Sequence, residues 1–555
     1  MKSKLFYNIN KLFIILSLLV MTFSCNDSFL EEKPKDFLSL ENAYSDVAEF
    51  EAAITGLHSK ARDFYSETDG ADYFVLPGLG TDLAVHGENL INGQRMDYSS
   101  LSATDGISLI FWKKSYLMIS YANTIINHAD SKEIIWSYDN QKNEIVAEAR
   151  FFRAWAYRIL ANLYGGVPIV EDEVRSAKKD FVRASRAEVY QFARTDLEFA
   201  AANLPDTEKS PGRITKAAAN HLLSEICLAQ NDWQAAIDAA SKVINNPNYE
   251  LMKSRFGTRV NVEGDVFWDL FQIGNQNRSS GNKEAIWVIQ NEYGIQGGTP
   301  STNTPGYGLE RAWGARYFDI KDFDGKAGFI VDDANGRPVG WCVGTNYLQQ
   351  TIWQSDWNND MRNSKYNIKR EFYFNNPASK YYGQKATKEL LASQPIRYYH
   401  PYFQKVTTPN NHPGGVFTTG RIWRDLYVMR LAETYLLRAE AYLGKGDKVN
   451  AAADINVVRS RANASPVAAE NVNIDYILDE RARELVTEEF RTCTLCRLGL
   501  LYDRTKKYSQ ILQGDGTITP SNASVTIKPY NNLWPIPQTE IDLNTDVKIE
   551  QNPGY

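Results

Sequence analysis

Two blocks of amphipathic helix, separated by a long stretch with no helical period, constrain this chain more than any other feature. Glu144–Tyr164 places Ile145, Ala149, Phe152, Ala156, Ile159 and Leu163 at spacings of three and four, which is one apolar helix face. Gly165-Gly166 ends that helix and Pro168 stops its resumption. Ser185, with Glu188 three residues on, predicts the capped start of a second helix running to Leu204. Further helices are predicted over Thr215–Gln230, Trp233–Asn245, Tyr427–Leu443, Val449–Ala462 and Ile474–Leu498. Residues 250–425 are instead rich in Gly, Asn, Trp and Tyr, with short apolar runs such as Ala285–Ile289 and Phe329–Val331. So long an irregular stretch is uncommon unless it carries function.

Two turns share one pattern. Asn231-Asp232-Trp233 is followed by Ala236, Ile237, Ala240 and Val243; Gly446-Asp447 is followed by Ala451, Asp454, Ile455 and Val458. A tight turn, then small residues where helices cross closely, is the grammar of a tetratricopeptide hairpin. Such pairs need neighbours to bury their faces, so diverged units are expected within 40–130 and 144–204. The fold class is therefore mainly α: tetratricopeptide-like helical hairpins with a large irregular insertion of loops and short strands.

The first residues read as an export signal. Met1–Lys11 is basic and Leu12–Phe23 is apolar but shorter than the roughly 20 residues of a membrane span. Thr22-Phe23-Ser24-Cys25 resembles a bacterial lipobox, with Thr22 where a Leu is usual, and makes Cys25 the expected lipidated first residue of the mature chain. The expected organisation is a signal peptide over 1–24 and one domain over 25–555. Within it lie helical blocks at about 40–249 and 426–500, the insertion at about 250–425, and a tail at 501–555. The 61 basic residues fall to 58 without Lys2, Lys4 and Lys11, against 67 acidic, so the body carries −9. That balance argues against nucleic acid as a partner. Five Cys in 555 residues exclude a disulfide scaffold.

Several blocks resemble the SusD/RagB family of outer-membrane nutrient-binding lipoproteins. They are Cys25–Pro34, Glu148–Ala154 with Leu163–Pro168, Gly212–Ala218, Arg430–Glu433 with Arg438–Ala441, Ile477–Leu485 with Glu489-Phe490-Arg491, and the tail motifs Trp534–Pro537 and Gln551–Tyr555. They occur in family order and cover nearly the whole chain. Thr492–Arg497 departs from the family's aromatic and acidic pattern there. The resemblance implies a non-catalytic lipoprotein, anchored in the outer membrane by its lipid alone and facing the cell exterior. It would capture an oligosaccharide and pass it to a SusC-like TonB-dependent transporter. It also implies a tetratricopeptide-like helical superhelix of four helix pairs, an irregular half that holds the ligand, and no cofactor.

Candidate chemistry elsewhere is thin. Cys493-x-x-Cys496 has no second pair and no nearby His, so helix packing is the simpler role. Asp322-x-Asp324-Gly325 starts like a calcium loop, but Lys326 and Asp333 fall where further ligands should be. No Gly-x-Ser-x-Gly, His-Glu-x-x-His or phosphate-binding loop occurs. Paired carboxylates of a glycosidase could still lie far apart in sequence. A sugar ring offers an apolar C–H face and a rim of hydroxyls, so a site pairs a flat aromatic with planar polar groups. Asp82, His86, Asn89 and Arg95 in the loop-rich stretch Tyr65–Ser108, and Tyr307, Trp313, Trp341, Trp353 and Trp357 in the insertion, are the ligand-binding candidates. Trp112, Trp136, Trp155 and Trp233 fall on predicted helices and are expected in the core. Peptide capture on the same architecture is the first alternative function, and a surface glycosidase the second.

Overall fold

The computed structural model describes residues 44–66, 74–87, 97–132, 134–299 and 306–555. Cys25 and the signal segment expected at 1–24 lie outside them. Among the described residues, eight long helices form four hairpins. They are α1 (Val47–Asp63) with α2 (Gly106–His128), α3 (Gln141–Tyr164) with α4 (Arg186–Asn203), α5 (Lys216–Ala229) with α6 (Trp233–Ile244), and α7 (Leu431–Gly444) with α8 (Lys448–Arg461). Neighbouring hairpins stack through α2 on α3, α4 on α5, and α6 on α7. The fourth hairpin thus continues the stack directly from the third, although the whole insertion intervenes in sequence.

Local chemistry explains the turns. Asn231 and Gly446 both take positive φ, at 59° and 84°, and the aspartate after each caps the next helix: Asp232 accepts from the Ala235 N–H, Asp447 from the Asn450 N–H. The Ser185–Glu188 capping box forms as the sequence predicts. Gly444 lets α7 approach α6 closely, since a Cβ there would lie 2.7 Å from ring atoms of Trp233.

Two predicted helices need correction. Tyr427–Leu443 begins as a strand: Leu426–Arg430 pairs antiparallel with Ala285–Ile289 before α7 starts at Leu431. Ile474–Leu498 is broken into α9 (Ile474–Leu485) and α10 (Arg491–Leu498). Thr487 sits at φ 69° in the break, and the backbone turns there so that Glu488 and Glu489 can reach Lys405, Arg430 and Arg481. A further helix, α11 (Leu501–Tyr508), follows. Trp136 lies between helices and packs its ring 5.3 Å from Phe50, so it is not helical.

The insertion is built from short helical turns and two-residue to five-residue strands. β1 (Ala84–His86) pairs with β3 (Cys342–Gly344), β2 (Ala285–Ile289) with β6 (Leu426–Arg430), and β4 (Ile368–Lys369) with β5 (Tyr402–Phe403). It carries a small core of its own around Tyr317, Phe329, Phe372, Phe374 and Tyr402. Trp287 of β2 drives into the helical frame, with its ring edge-on to Phe151, Phe152 and Trp155 at 5.3–5.7 Å. The tail returns to the first hairpins: the Trp534 N–H donates to Leu163 O, and its ring lies 5.9 Å from Phe111.

A buried ion network bolts the insertion to the frame. Arg362 bonds Asp360, Glu480 and Glu484; Arg430 bonds Glu284, Glu484 and Glu488; Arg461 bonds Glu284 and Glu484. Arg459 links Asp356 to Glu480, Arg483 also bonds Glu480, and Lys405 bonds Glu488. Those cations and carboxylates match one for one, the condition under which a dry interior tolerates charge. Asp356, Asp360, Arg362, Lys405 and Glu284 come from the insertion, whereas Arg459, Arg461, Glu480 and Glu484 come from α8 and α9.

Candidate functional site

The loop after α1 meets the insertion at β1 and β3. The Gly87 N–H donates to Trp341 O at 2.7 Å, and a Cβ on Gly87 would lie 1.9 Å from Gly340 O, so only glycine permits the approach. Trp341 is half-buried beside this seam. The Arg311 guanidinium lies 5.1 Å from its ring centroid and the Phe74 ring 5.9 Å away, while His86 ends the paired strand. Arg311 is held by its backbone: its N–H donates to Gly420 O and its carbonyl accepts from the Val339 N–H. Nearby, Phe318 lies between Arg316 and Arg337, at 5.6 and 5.7 Å, and Arg316 also faces the Tyr398 ring. Aromatic faces interleaved with guanidinium forks are suited to a ligand with an apolar face and a hydroxyl edge, since each fork presents fixed donors.

A second aromatic position is Trp357, 39% exposed, with Arg370 stacked 4.8 Å from its ring. Arg370 also donates to the Asn363 carboxamide oxygen at 2.6 Å, and burial lowers its pKa to about 10, which leaves it charged at neutral pH. Asn363 in turn donates to Trp357 O.

Of the residues chosen from sequence, His86, Trp341 and Trp357 lie on accessible surface, and Asn89 and Arg95 lie outside the described residues. Four others belong to the interior, which corrects their assignment. Asp82 is wholly buried, and Arg491 and Arg504 occupy both of its carboxylate oxygens at 2.6–3.1 Å. Burial alone would raise its pKa; the two guanidiniums hold it below the usual carboxylate range. Tyr307 is bridged by its backbone to Ile422 and its ring is sealed. Trp313 is 2% exposed and Trp353 1%, the latter donating from its indole nitrogen to Leu348 O. Sequence reasoning missed Arg311, Arg316, Phe318 and Arg337, which lie beside a Phe74 ring that is itself sealed in the core. A signal was present for some of them, since Arg and aromatic residues alternate through 311–318.

The remaining motifs resolve into structure. Asp322 accepts from the Asp324 and Lys326 N–H groups and from the Ser379 hydroxyl, so its oxygens staple a turn. Cys493 and Cys496 are free, buried thiols on α10, which packs against α3. Arg491 and Glu484, which lie in blocks that resemble the family, serve the buried ion pairs described above. Among the described residues no cluster of His, Cys, Asp and Glu has metal-holding geometry, and no helix is long and apolar enough to cross a membrane. A separate cleft of about 280 Å³ lies between α2 and the tail, lined by Trp112, Tyr116, Phe181 and Leu543 among others.

Comparison with known proteins agrees with this architecture. The family model described as "SusD family" matches residues 283–555, and that described as "Starch-binding associating with outer membrane" matches 28–228. The chain is 27% identical to SusD-like protein P2 of Formosa agariphila, covering 98% of this chain and 99% of that one. It is 26% identical to the starch-binding protein SusD of Bacteroides thetaiotaomicron over 74% of this chain and 72% of that one. The fold is similar to that of surface glycan-binding protein A from Bacteroides thetaiotaomicron, solved in complex with laminarihexaose. That match has a TM-score of 0.65 and 18% identity, and covers 91% of this chain and 99% of the other.

Proposed function

The chain belongs to the SusD/RagB family, and from that premise we propose that it is a cell-surface protein that captures an oligosaccharide and delivers it, uncleaved, to a TonB-dependent outer-membrane transporter. The observation that carries this reading is the Trp341 surface, where a half-buried indole is backed by the buried Phe74 ring and faced by the Arg311 guanidinium. The indole stacks on the apolar face of a sugar ring. The guanidinium of Arg311 donates to its hydroxyls, and Trp357 with Arg370 repeats the arrangement for a second part of the glycan. Starch binding and laminarihexaose binding by similar proteins support a glucan-like ligand. A lipid on Cys25 tethers the protein to the outer leaflet, and the helical frame docks on the transporter while the insertion faces the ligand.

Calorimetry of the protein against starch, laminarin and other plant, microbial and host oligosaccharides tests the reading. Chromatography afterwards shows whether the ligand survives intact. Trp341→Ala is expected to weaken binding by about tenfold to a hundredfold, or ~1.4–2.7 kcal/mol. Binding of peptides alone would move the assignment to peptide capture, and hydrolysis of the ligand would move it to a glycosidase.

A further inference from the structure

Behind the Trp341 surface lies a triad, sealed at its imidazole and at Glu310 but 42% exposed at Asp333, that the binding reading does not use. His412 has both ring nitrogens engaged: Nδ1 is 2.6 Å from Asp333 Oδ1, and Nε2 is 2.9 Å from Glu310 Oε2. The imidazole and the Glu310 carboxylate are wholly buried. Glu310 Oε1 accepts from the Arg337 N–H, and the Thr408 N–H also faces the carboxylate. Gly336 takes φ +62°, and a Cβ there would fall 2.1 Å from Glu310 Oε1. Glu310 therefore draws together three segments: its own, which carries Arg311; 332–341, which carries Arg337 and Trp341; and 408–421, whose Gly420 receives the Arg311 N–H.

Proton counting makes this clasp conditional. A neutral imidazole has one N–H, so it cannot donate to two carboxylates. Both contacts are satisfied only with one further proton. Either an imidazolium sits between two carboxylates, or a neutral ring donates from Nδ1 to Asp333 and accepts at Nε2 from a protonated Glu310. We infer that His412 is a positioning residue for the ligand surface: through Glu310 and Asp333 it holds Arg311 against Trp341, and it does so only while the triad keeps its extra proton. This rests on the Trp341 surface being the ligand site.

The surroundings favour keeping that proton. Burial lowers the His412 pKa, but Glu310 and Asp333 outweigh it and the net shift is upward; burial also raises Glu310. The other charged or titratable groups facing the triad are Arg259, beside Asp333, and Asp332, Tyr317 and Tyr402, which share the Glu310 side. Phe417 covers the imidazole edge-on at 6.4 Å. Because the His412 pKa is raised, the clasp is complete below the ordinary imidazole range and is lost as pH rises through the raised value.

The test uses the full-length protein in detergent, with two readouts. Amide hydrogen exchange of the segment 332–341, corrected for the intrinsic pH dependence of exchange, reads the Arg337 N–H to Glu310 bond without any ligand. Calorimetry with laminarihexaose between pH 6 and pH 9 reads the consequence. In the wild type, protection and affinity should both fall with rising pH, affinity by up to about tenfold per unit once the proton is lost. Glu310→Gln can accept from Arg337 and donate to a neutral His412 with no extra proton, so its protection should no longer vary with pH. His412→Ala leaves Glu310 and Asp333 with no group between them and should lose protection throughout. Wild-type protection that is independent of pH, or a Glu310→Gln profile that still follows the wild type, overturns the inference. Intact pH-dependent protection with no glycan bound at any pH would instead overturn the assignment of the Trp341 surface and, with it, the role given to His412.

Discussion

Replacing Glu484 by Gln removes one negative charge from the centre of the buried network without creating a cavity. Glu484 bonds Arg362, Arg430 and Arg461 at once, and all four side chains are at most 1% exposed. Burial opposes its ionisation, but Arg461, Arg430 and Arg362 together hold its carboxyl far below the usual range. After the substitution each arginine keeps another carboxylate: Arg362 keeps Asp360 and Glu480, Arg430 keeps Glu284 and Glu488, and Arg461 keeps Glu284. The cluster nevertheless carries one unmatched positive charge, and an amide N–H faces one of the guanidiniums. Breaking a buried pair from one side costs about 3–5 kcal/mol. With an unfolding entropy of about 2.1 cal/mol/K per residue, a chain of 555 residues should lose about 3–4 °C in Tm. Adding Arg461→Met restores neutrality, so the double variant should be more stable than the sum of the two single losses implies. Thermal unfolding followed by circular dichroism measures all four proteins. A Glu484→Gln shift below about 1 °C, or strict additivity in the cycle, would refute the reasoning that charge matching holds the insertion to the frame.

Other outcomes are equally specific. His400 is buried, and its pKa is pushed down to about 4 by burial. The unfolded ring binds its proton near pH 6.5, so stability should fall by about 3 kcal/mol between pH 6.5 and 4; His400→Phe should flatten that limb of the Tm–pH curve, and an unchanged curve counts against it. Burial raises the Cys493 thiol to about 12, so neither it nor the still more strongly shifted Cys496 should react with a thiol reagent at pH 8 until the protein unfolds. Cys25→Ala should release the protein from the outer-membrane fraction while leaving glycan affinity intact, and retention in the membrane would remove the anchor from the proposal.

Much of the frame was legible in sequence because its signals are local. Asn231-Asp232 and Gly446-Asp447 encode a left-handed residue followed by a cap, and each lies within four residues of the helix it starts. The errors have one cause, which is distance along the chain. Tyr427–Arg430 is a strand because β2 lies beside it, and that partner is more than a hundred residues away. The break after Leu485 contains no Gly or Pro; it follows from ion pairs made by Glu488 and Glu489. Asp82 looked like a ligand group in a loop, yet its partners Arg491 and Arg504 are 409 and 422 positions away. Trp353 and Trp357 have similar neighbours in sequence, and only the fold decides that one is sealed and the other open.

That the fourth hairpin seats directly on the third means the frame treats the whole insertion as a single closed loop. Closing a loop costs little more as it lengthens, about 0.6 kcal/mol per doubling. The insertion can therefore be shortened, extended or exchanged for another without unseating α6 from α7, provided a replacement brings its own counterparts to Glu284, Asp356, Asp360, Arg362 and Lys405. The architecture separates what must stay constant for assembly from what can be rewritten, and among the described residues these five positions are the charged fittings of the network that a transplanted insertion would have to supply.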